Sequence, residues 1–223
     1  MHASDRRGAY TADRAAALAG VPRSTVHYWA RAEVLVPSVS AVRTKLWSYS
    51  DLLALRTIAW LRQPKQARDG ADVPRSALSA VRQALGELRS LDLDLWTEDE
   101  EPRVAVDRQG RIHLNLSYAE VEDLARARPL DAELLDLIRP FTAGPGTEGP
   151  DLHAPRPHLR IVPGKLSGSP HIARTRVETI AIAALRDRDL PPELIRALYP
   201  RLDAAAIDDA IDLERQLRRN LAA

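Results

Sequence analysis

The chain has no cysteine, and that one absence removes disulfides, thiolate metal ligands and cysteine nucleophiles together. Aromatic residues are only 4% of its 223 residues, with one phenylalanine and one methionine. A core must therefore come from leucine, alanine, valine and isoleucine. No apolar run approaches the roughly 18 residues of a membrane span, and the N-terminus lacks an apolar signal-peptide core. The expectation is a soluble, cytoplasmic protein. Its apolar content of 45% is that of a globular chain, enough for one large domain or two to three small ones.

Net charge is also nearly absent, +1 overall, but this total hides a division. Residues 1–75 carry 12 basic against 6 acidic side chains, a net of +6; residues 76–150 carry 8 against 15, a net of −7; residues 151–223 carry 12 against 10, a net of +2. A basic first third beside an acidic middle suggests a polyanion-binding module joined to something that does not bind polyanions.

Local signals place the elements. Thr11 suits the N-cap of a helix over Ala12–Ala19, and Gly20 suits a left-handed C-cap. A second helix opens at Pro22 or Arg23 and runs to about Ala32, with Val26, Trp29 and Ala30 on one face against the alanines of the first. Two short helices crossing closely make a helix-turn-helix. Between Leu35 and Trp47 two short extended pieces, with a loop near Ser38–Ala41, read as a wing. Ser50 caps a third helix, Asp51–Leu61, and a fourth is expected over Arg75–Arg89.

Farther along, "EDEEP" at Glu98–Pro102 reads as a solvated acidic loop. "RVAVDRQGRIHLNL", Arg103–Leu116, alternates around Asp107–Gly110 and predicts a β-hairpin. Short helices are expected at Ala119–Arg126 and Asp131–Ile138. "AGPGTEGPDLHAPRP", Ala143–Pro157, has the glycine and proline density of a linker. A short extended run at Leu159–Val162 then leads to three helices: Glu178–Asp187, Pro192–Leu198 and Asp203–Leu221. The domains expected are 8–68, a helical middle with hairpin at 72–142, the linker at 143–157, and 158–223. The fold class is mainly α, with an N-terminal winged helix-turn-helix, an acidic helical middle and a C-terminal three-helix domain.

The first block carries a resemblance. Tyr10, Gly20-Val21, Ser24-Thr25-Val26-His27-Tyr28-Trp29, Leu35-Val36-Pro37, Trp47-Ser48 and Asp51-Leu52 follow one another as in the winged helix-turn-helix of MerR-type regulators, which this segment resembles. The resemblance implies a recognition helix in the major groove of double-stranded promoter DNA. Candidates for groove contacts are Arg23, Ser24, Thr25 and His27. Tyr28 and Thr11 are candidates for phosphates, and Arg43 and Lys45 for the backbone or minor groove. Trp29 reads as core, whereas Tyr28 fits core or surface. Ser24 and His27 stand where the family has arginines, and serine cannot make the bidentate guanine contact. No sustained heptad follows Leu61, so the long dimerising helix of ordinary relatives is not in view.

The last block carries a second resemblance. Pro163, Gly168, Pro170, Ile172, Thr175-Arg176-Val177, Glu193-Leu194-Ile195, Tyr199-Pro200 and Leu202 are similar to a small helical domain of unknown function found in antitoxin-like proteins. Asp189 replaces the glycine usual in its inter-helix turn. Together the two resemblances imply an antitoxin of a VapBC-like pair, which represses its own operon and neutralises a PIN-domain ribonuclease. The active site of such a toxin is an acidic metal-binding cluster. His171, Arg174 and Arg176 are the candidates for the toxin contact, with capping or solvation of the turn as the plain reading of the two arginines.

Binding as a homodimer or larger hetero-oligomer is expected, since a single half-site gives little specificity. Two alternatives stand beside the antitoxin: a freestanding MerR-like regulator with a C-terminal sensing or oligomerisation domain, and a second DNA-binding unit using Arg174, Arg176, Arg186 and Arg188. "GKLS" at Gly164–Ser167 lacks the earlier glycine of a phosphate loop. His153 and His158 lack the companions of a metal site. No catalytic residue, cofactor or metal is expected, and no enzyme.

Overall fold

The computed structural model describes residues 8–66, 72–90, 103–106, 112–114 and 135–222. Seven helices and several two- and three-stranded antiparallel ladders are found among them, so the chain is mainly α.

The N-terminal elements are β1 (Tyr10–Thr11), α1 (Ala12–Ala19), α2 (Arg23–Arg31), β2 (Leu46–Trp47) and α3 (Tyr49–Arg62). Thr11 caps α1, its hydroxyl oxygen accepting the Arg14 amide at 3.2 Å, and Gly20 ends the helix at φ +70°. α2 buries Val26, Trp29 and Ala30. β1 and β2 pair as Tyr10↔Trp47 and Thr11↔Leu46. The cap of α3 is Ser48 rather than Ser50: its hydroxyl accepts the Asp51 amide, and the Asp51 carboxylate accepts the Ser48 amide. Asp51 is held further by the amide and hydroxyl of Ser38, which explains why a carboxylate can sit here 2% exposed.

α3 is buried all round, Leu52, Leu53, Leu55, Ile58 and Leu61 each being at most 2% exposed. Its centre is a charge. Arg56 is fully buried, and its guanidinium donates to the carbonyls of Leu137, Ile138, Arg139, Leu18 and Pro150. A buried cation is tolerable only where hydrogen bonds replace water, and here the two terminal nitrogens of one side chain tie α1, α3 and the segment around residues 137–150 together.

β3 (Lys65–Gln66) and β4 (Asp72–Val73) pair before α4 (Leu78–Ser90), which lies where a helix was expected and buries Val81 and Leu85. β5 (Arg103–Val106) and β6 (Ile112–Leu114) form the expected hairpin ladder. β7 (Leu135–Asp136) adds to the other edge of β5, so the helix expected over Asp131–Ile138 is, where it is described, a two-residue strand followed by a bend. Apolar leucines at 134, 135 and 137 satisfy either period, and pairing decides. The helix expected at Ala119–Arg126 and the loop at Glu98–Pro102 lie outside the described residues.

The segment expected as a linker, 143–157, is packed. β8 (Phe141–Gly144) and β9 (Thr147–Gly149) make a bulged hairpin against α1 and α3. A Cβ at Gly20 would stand 2.3 Å from the Gly149 nitrogen, so two backbones touch where neither residue has a side chain. Glycine and proline here serve close approach and tight turning, not flexibility.

The C-terminal elements are β10 (Leu159–Arg160), β11 (His171–Ile172), α5 (Thr179–Asp187), α6 (Pro192–Leu198) and α7 (Ala204–Ala222). β10 and β11 pair as Leu159↔Ile172 and Arg160↔His171. Between them a turn docks on the first strand: the Tyr10 hydroxyl donates to the Gly168 carbonyl at 2.8 Å, and the Ala9 amide to that of Ser167 at 2.9 Å. α7 packs on α5 and on α1. The two ends of the chain thus share one core, in which Ala16 and Leu18 of α1 join Leu213 and Leu217 of α7.

Candidate nucleic-acid interface

The outward face of α2 follows from its period. With Val26, Trp29 and Ala30 turned in, Arg23, Ser24 and Tyr28 are exposed, and Thr25 and His27 are half-buried. Tyr28 is 55% exposed, which settles its side: it belongs to the surface, while Trp29 belongs to the core. Arg31 extends the same face one turn past His27. The family motif does not single it out, but its spacing of four from His27 and eight from Arg23 marks it.

Arg23 does not stand alone. Its Nε lies 2.7 Å from a carboxylate oxygen of Asp13 in the first turn of α1, both side chains being about half exposed. Such a pair contributes little to stability, yet it holds the guanidinium and places a negative charge at the start of the presented helix. Thr11 uses an oxygen lone pair for its cap and keeps its hydroxyl proton for another acceptor.

The wing loop is one step later than expected. Ser40 and Leu46 exchange backbone hydrogen bonds at 3.1 and 2.9 Å. They close a loop over residues 41–45, not 38–41, because Ser38 is held by Asp51 and Ser48. Arg43 is exposed at this loop and Lys45 half-buried. Val42 is 77% exposed at its tip. Presented helix and wing therefore carry Arg23, Arg31, Arg43 and Lys45, with Asp13 paired to Arg23 and the exposed Glu33 just past the end of α2.

The three candidates at the C-terminal turn separate. His171 is 1% exposed, with Nδ1 3.1 Å from the Ser169 carbonyl, and burial pushes its pKa below the ordinary imidazole value. This corrects its reading as a surface contact: strand pairing at Arg160↔His171 turns the ring inward. Arg174 and Arg176 are exposed. His158, set aside as a metal ligand, places Nδ1 2.8 Å from Asp209. Among the described residues no group of histidine and carboxylate side chains is arranged to hold a metal ion, and no helix is long and apolar enough to cross a membrane.

Two segments of the chain match known protein families. Residues 10–66 match the MerR HTH family regulatory protein model. A MerR-type helix-turn-helix is detected there. Residues 160–212 match a second model, a protein of unknown function (DUF433). No curated protein and no solved structure matches the chain. The MerR-type segment ends four residues after α3, and so includes every candidate on the presented helix and the wing. The DUF433 segment begins in β10 and stops within α7, so the part of α7 that grips α1 through Asn220 lies beyond it.

Proposed function

We propose that the protein is a DNA-binding transcription regulator that acts by binding and not by catalysis. More finely, we propose an antitoxin that represses its own promoter and neutralises a PIN-like ribonuclease. The observation that carries the DNA reading is the outer face of α2 beside a basic wing: Arg23, Ser24 and Tyr28 stand out, with His27 half-buried beside them, on a helix whose other side is anchored by Val26 and Trp29. A recognition helix needs that division, since base edges are read by side chains and the helix is held by its core face.

The toxin half rests on the joining of this module to the C-terminal domain and on Arg174 and Arg176, whose exposed cations suit an acidic metal-binding cluster. His171 has no place in that contact. The runner-up is a regulator with a C-terminal sensing region. The bond from Arg14 of α1 to Glu214 of α7 favours it, because a signal at the C-terminal helices meets the helix-turn-helix without a linker between.

Two separable experiments test the reading. Titrating the full chain onto duplex DNA from upstream of its own gene should show that Arg23→Ala with Arg43→Ala weakens binding, and lowers the slope of log K against log salt by about 0.9 for each phosphate no longer held. Unchanged affinity and slope reject the DNA site. Co-expression with the product of the adjoining reading frame should rescue growth that this product alone stops. A neighbour that is harmless alone, or is not rescued, rejects the antitoxin.

A further inference from the structure

A cleft of about 320 Å³ opens between the β10–β11 ladder and the start of α7. Its lining includes Arg160, Arg174, Arg201, Asp203, His158 and Thr175. Three arginines line it from three separate parts of the chain: strand β10, the turn after β11, and the loop between α6 and α7. The acid that lines it is Asp203. His158 is engaged by Asp209, which contributes a hydrogen bond to the ring and another to the His158 amide. The lining thus brings three arginines together with one carboxylate, Asp203, while a second carboxylate, Asp209, stands behind His158.

The arginines differ in how they are held. Arg160 donates to the carbonyls of Leu159 and Pro157, so its guanidinium is fixed against its own strand. Among the described residues neither the Arg174 nor the Arg201 side chain has a hydrogen bond or an ion pair, which leaves both planar forks free. Arg174 sits at φ +60°, in a turn where the Thr175 amide reaches the Ile172 carbonyl at 3.1 Å and the Thr175 hydroxyl reaches it at 2.8 Å. Glycine adopts that conformation without strain and arginine does not. A charged side chain held there, with its turn locked by Thr175, is the kind of local cost found at ligand clamps.

We propose that this cleft binds a small ligand through a terminal phosphate monoester. The volume is in the range of small-molecule sites. Guanidinium forks match phosphate oxygens bidentately. The two open guanidinium forks, Arg174 and Arg201, decide between oxyanions: a monoester carries close to two negative charges at neutral pH and can meet both, whereas a monocarboxylate or a backbone phosphodiester carries one. The site does not depend on the toxin reading, although Arg174 is common to both.

The test is calorimetric titration of the full chain at fixed ionic strength with glycerol 3-phosphate and inorganic phosphate, and with glycerol and acetate as phosphate-free and monocarboxylate controls. The two phosphates should bind, and the controls should bind at least about tenfold more weakly. Arg174→Gly removes the guanidinium and relieves the positive φ, so it remains folded; it and Arg201→Ala should each weaken phosphate binding about tenfold or more, while Arg196→Ala on α6, outside the cleft, should not. Unaltered binding in the Arg174 and Arg201 variants, no binding of either phosphate by about 10 mM, or acetate binding as well as phosphate would overturn the site. A duplex-DNA arm separates the remaining source. If Arg174→Gly weakens DNA binding as much as Arg23→Ala does, the cleft serves the DNA backbone and the small-ligand proposal fails.

Discussion

Arg14 and Glu214, 200 residues apart, form a two-point ion pair with both N–H···O distances at 2.7 Å. Glu214 is 3% exposed and also accepts the Thr179 hydroxyl, so one carboxylate joins α1, α5 and α7. Nearby, the Asn220 side chain donates to the carbonyls of Ala17 and Glu148. The helix-turn-helix is thus not a module carried on a string. Its first helix is one wall of the C-terminal domain.

Removing one partner of such a pair leaves a buried charge unmet. Arg14→Ala, which strands Glu214, is expected to destabilise the fold by about 2–4 kcal/mol; Arg14→Met together with Glu214→Leu should cost much less than either single change. Denaturant unfolding measures both. A loss below about 0.5 kcal/mol for Arg14→Ala would show that the pair does not hold the two ends together.

The Gly20–Gly149 contact makes a second structural prediction. An alanine at position 20 meets both a positive φ and the Gly149 nitrogen at 2.3 Å, backbone that cannot swing aside as a side chain does. Gly20→Ala is expected to cost about 3 kcal/mol, and Gly86→Ala on α4, with nothing within 4 Å of its Cβ, to be neutral or stabilising. Equal melting temperatures for the two variants would contradict the packing of β8–β9 on α1.

What the sequence made legible was local. Thr11, Gly20, Val26 and Trp29 specify α1 and α2 by capping and period, and these signals act within a few residues. The packed hairpin at 141–149 was not legible, because glycine and proline look the same in a flexible linker and in two backbones pressed together. Only the partner, Gly20, tells them apart, and it is remote in sequence. Arg56 was hidden for a related reason. A stripe of Leu52, Leu55 and Ile58 predicts one buried face, while this helix is buried on all sides and its cation is met by carbonyls of distant segments. At the site, the turn carrying His171 and Arg174 was found, but which side chain turns inward depends on the β10–β11 register.

The Arg23–Asp13 pair predicts a gain of function. In Asp13→Asn the guanidinium is released and a negative charge leaves the surface proposed to meet DNA. Binding to promoter DNA should tighten by up to about fivefold at low salt, the span of a surface ion pair. The gain should vanish in an Arg23→Ala background. Arg31→Ala should lower the salt slope by about 0.9, the value for a single phosphate. Tighter binding that persists without Arg23 would place the effect of Asp13 elsewhere.

His171 predicts how stability depends on pH. Burial among β10, β11 and the turn disfavours the imidazolium, as does Lys165, while the Ser169 carbonyl and Glu178 favour it, and burial prevails: the folded pKa lies below the ordinary 6.5. The unfolded chain therefore takes up a proton near pH 6.5 that the folded chain refuses. Stability contributed by the neutral ring is complete above that pH and is lost as pH falls toward the lower folded value, at no more than about 1.4 kcal/mol per pH unit for one proton. Urea unfolding at about pH 7.5 and pH 5.5 reads the effect, with carboxylates ionised throughout. His171→Gln should be less stable at the higher pH and show a flatter profile between the two. A variant that follows the parent slope, or a parent that gains stability on acidification, would contradict a buried neutral His171, whose ring at 1% exposure has no water to carry its charge.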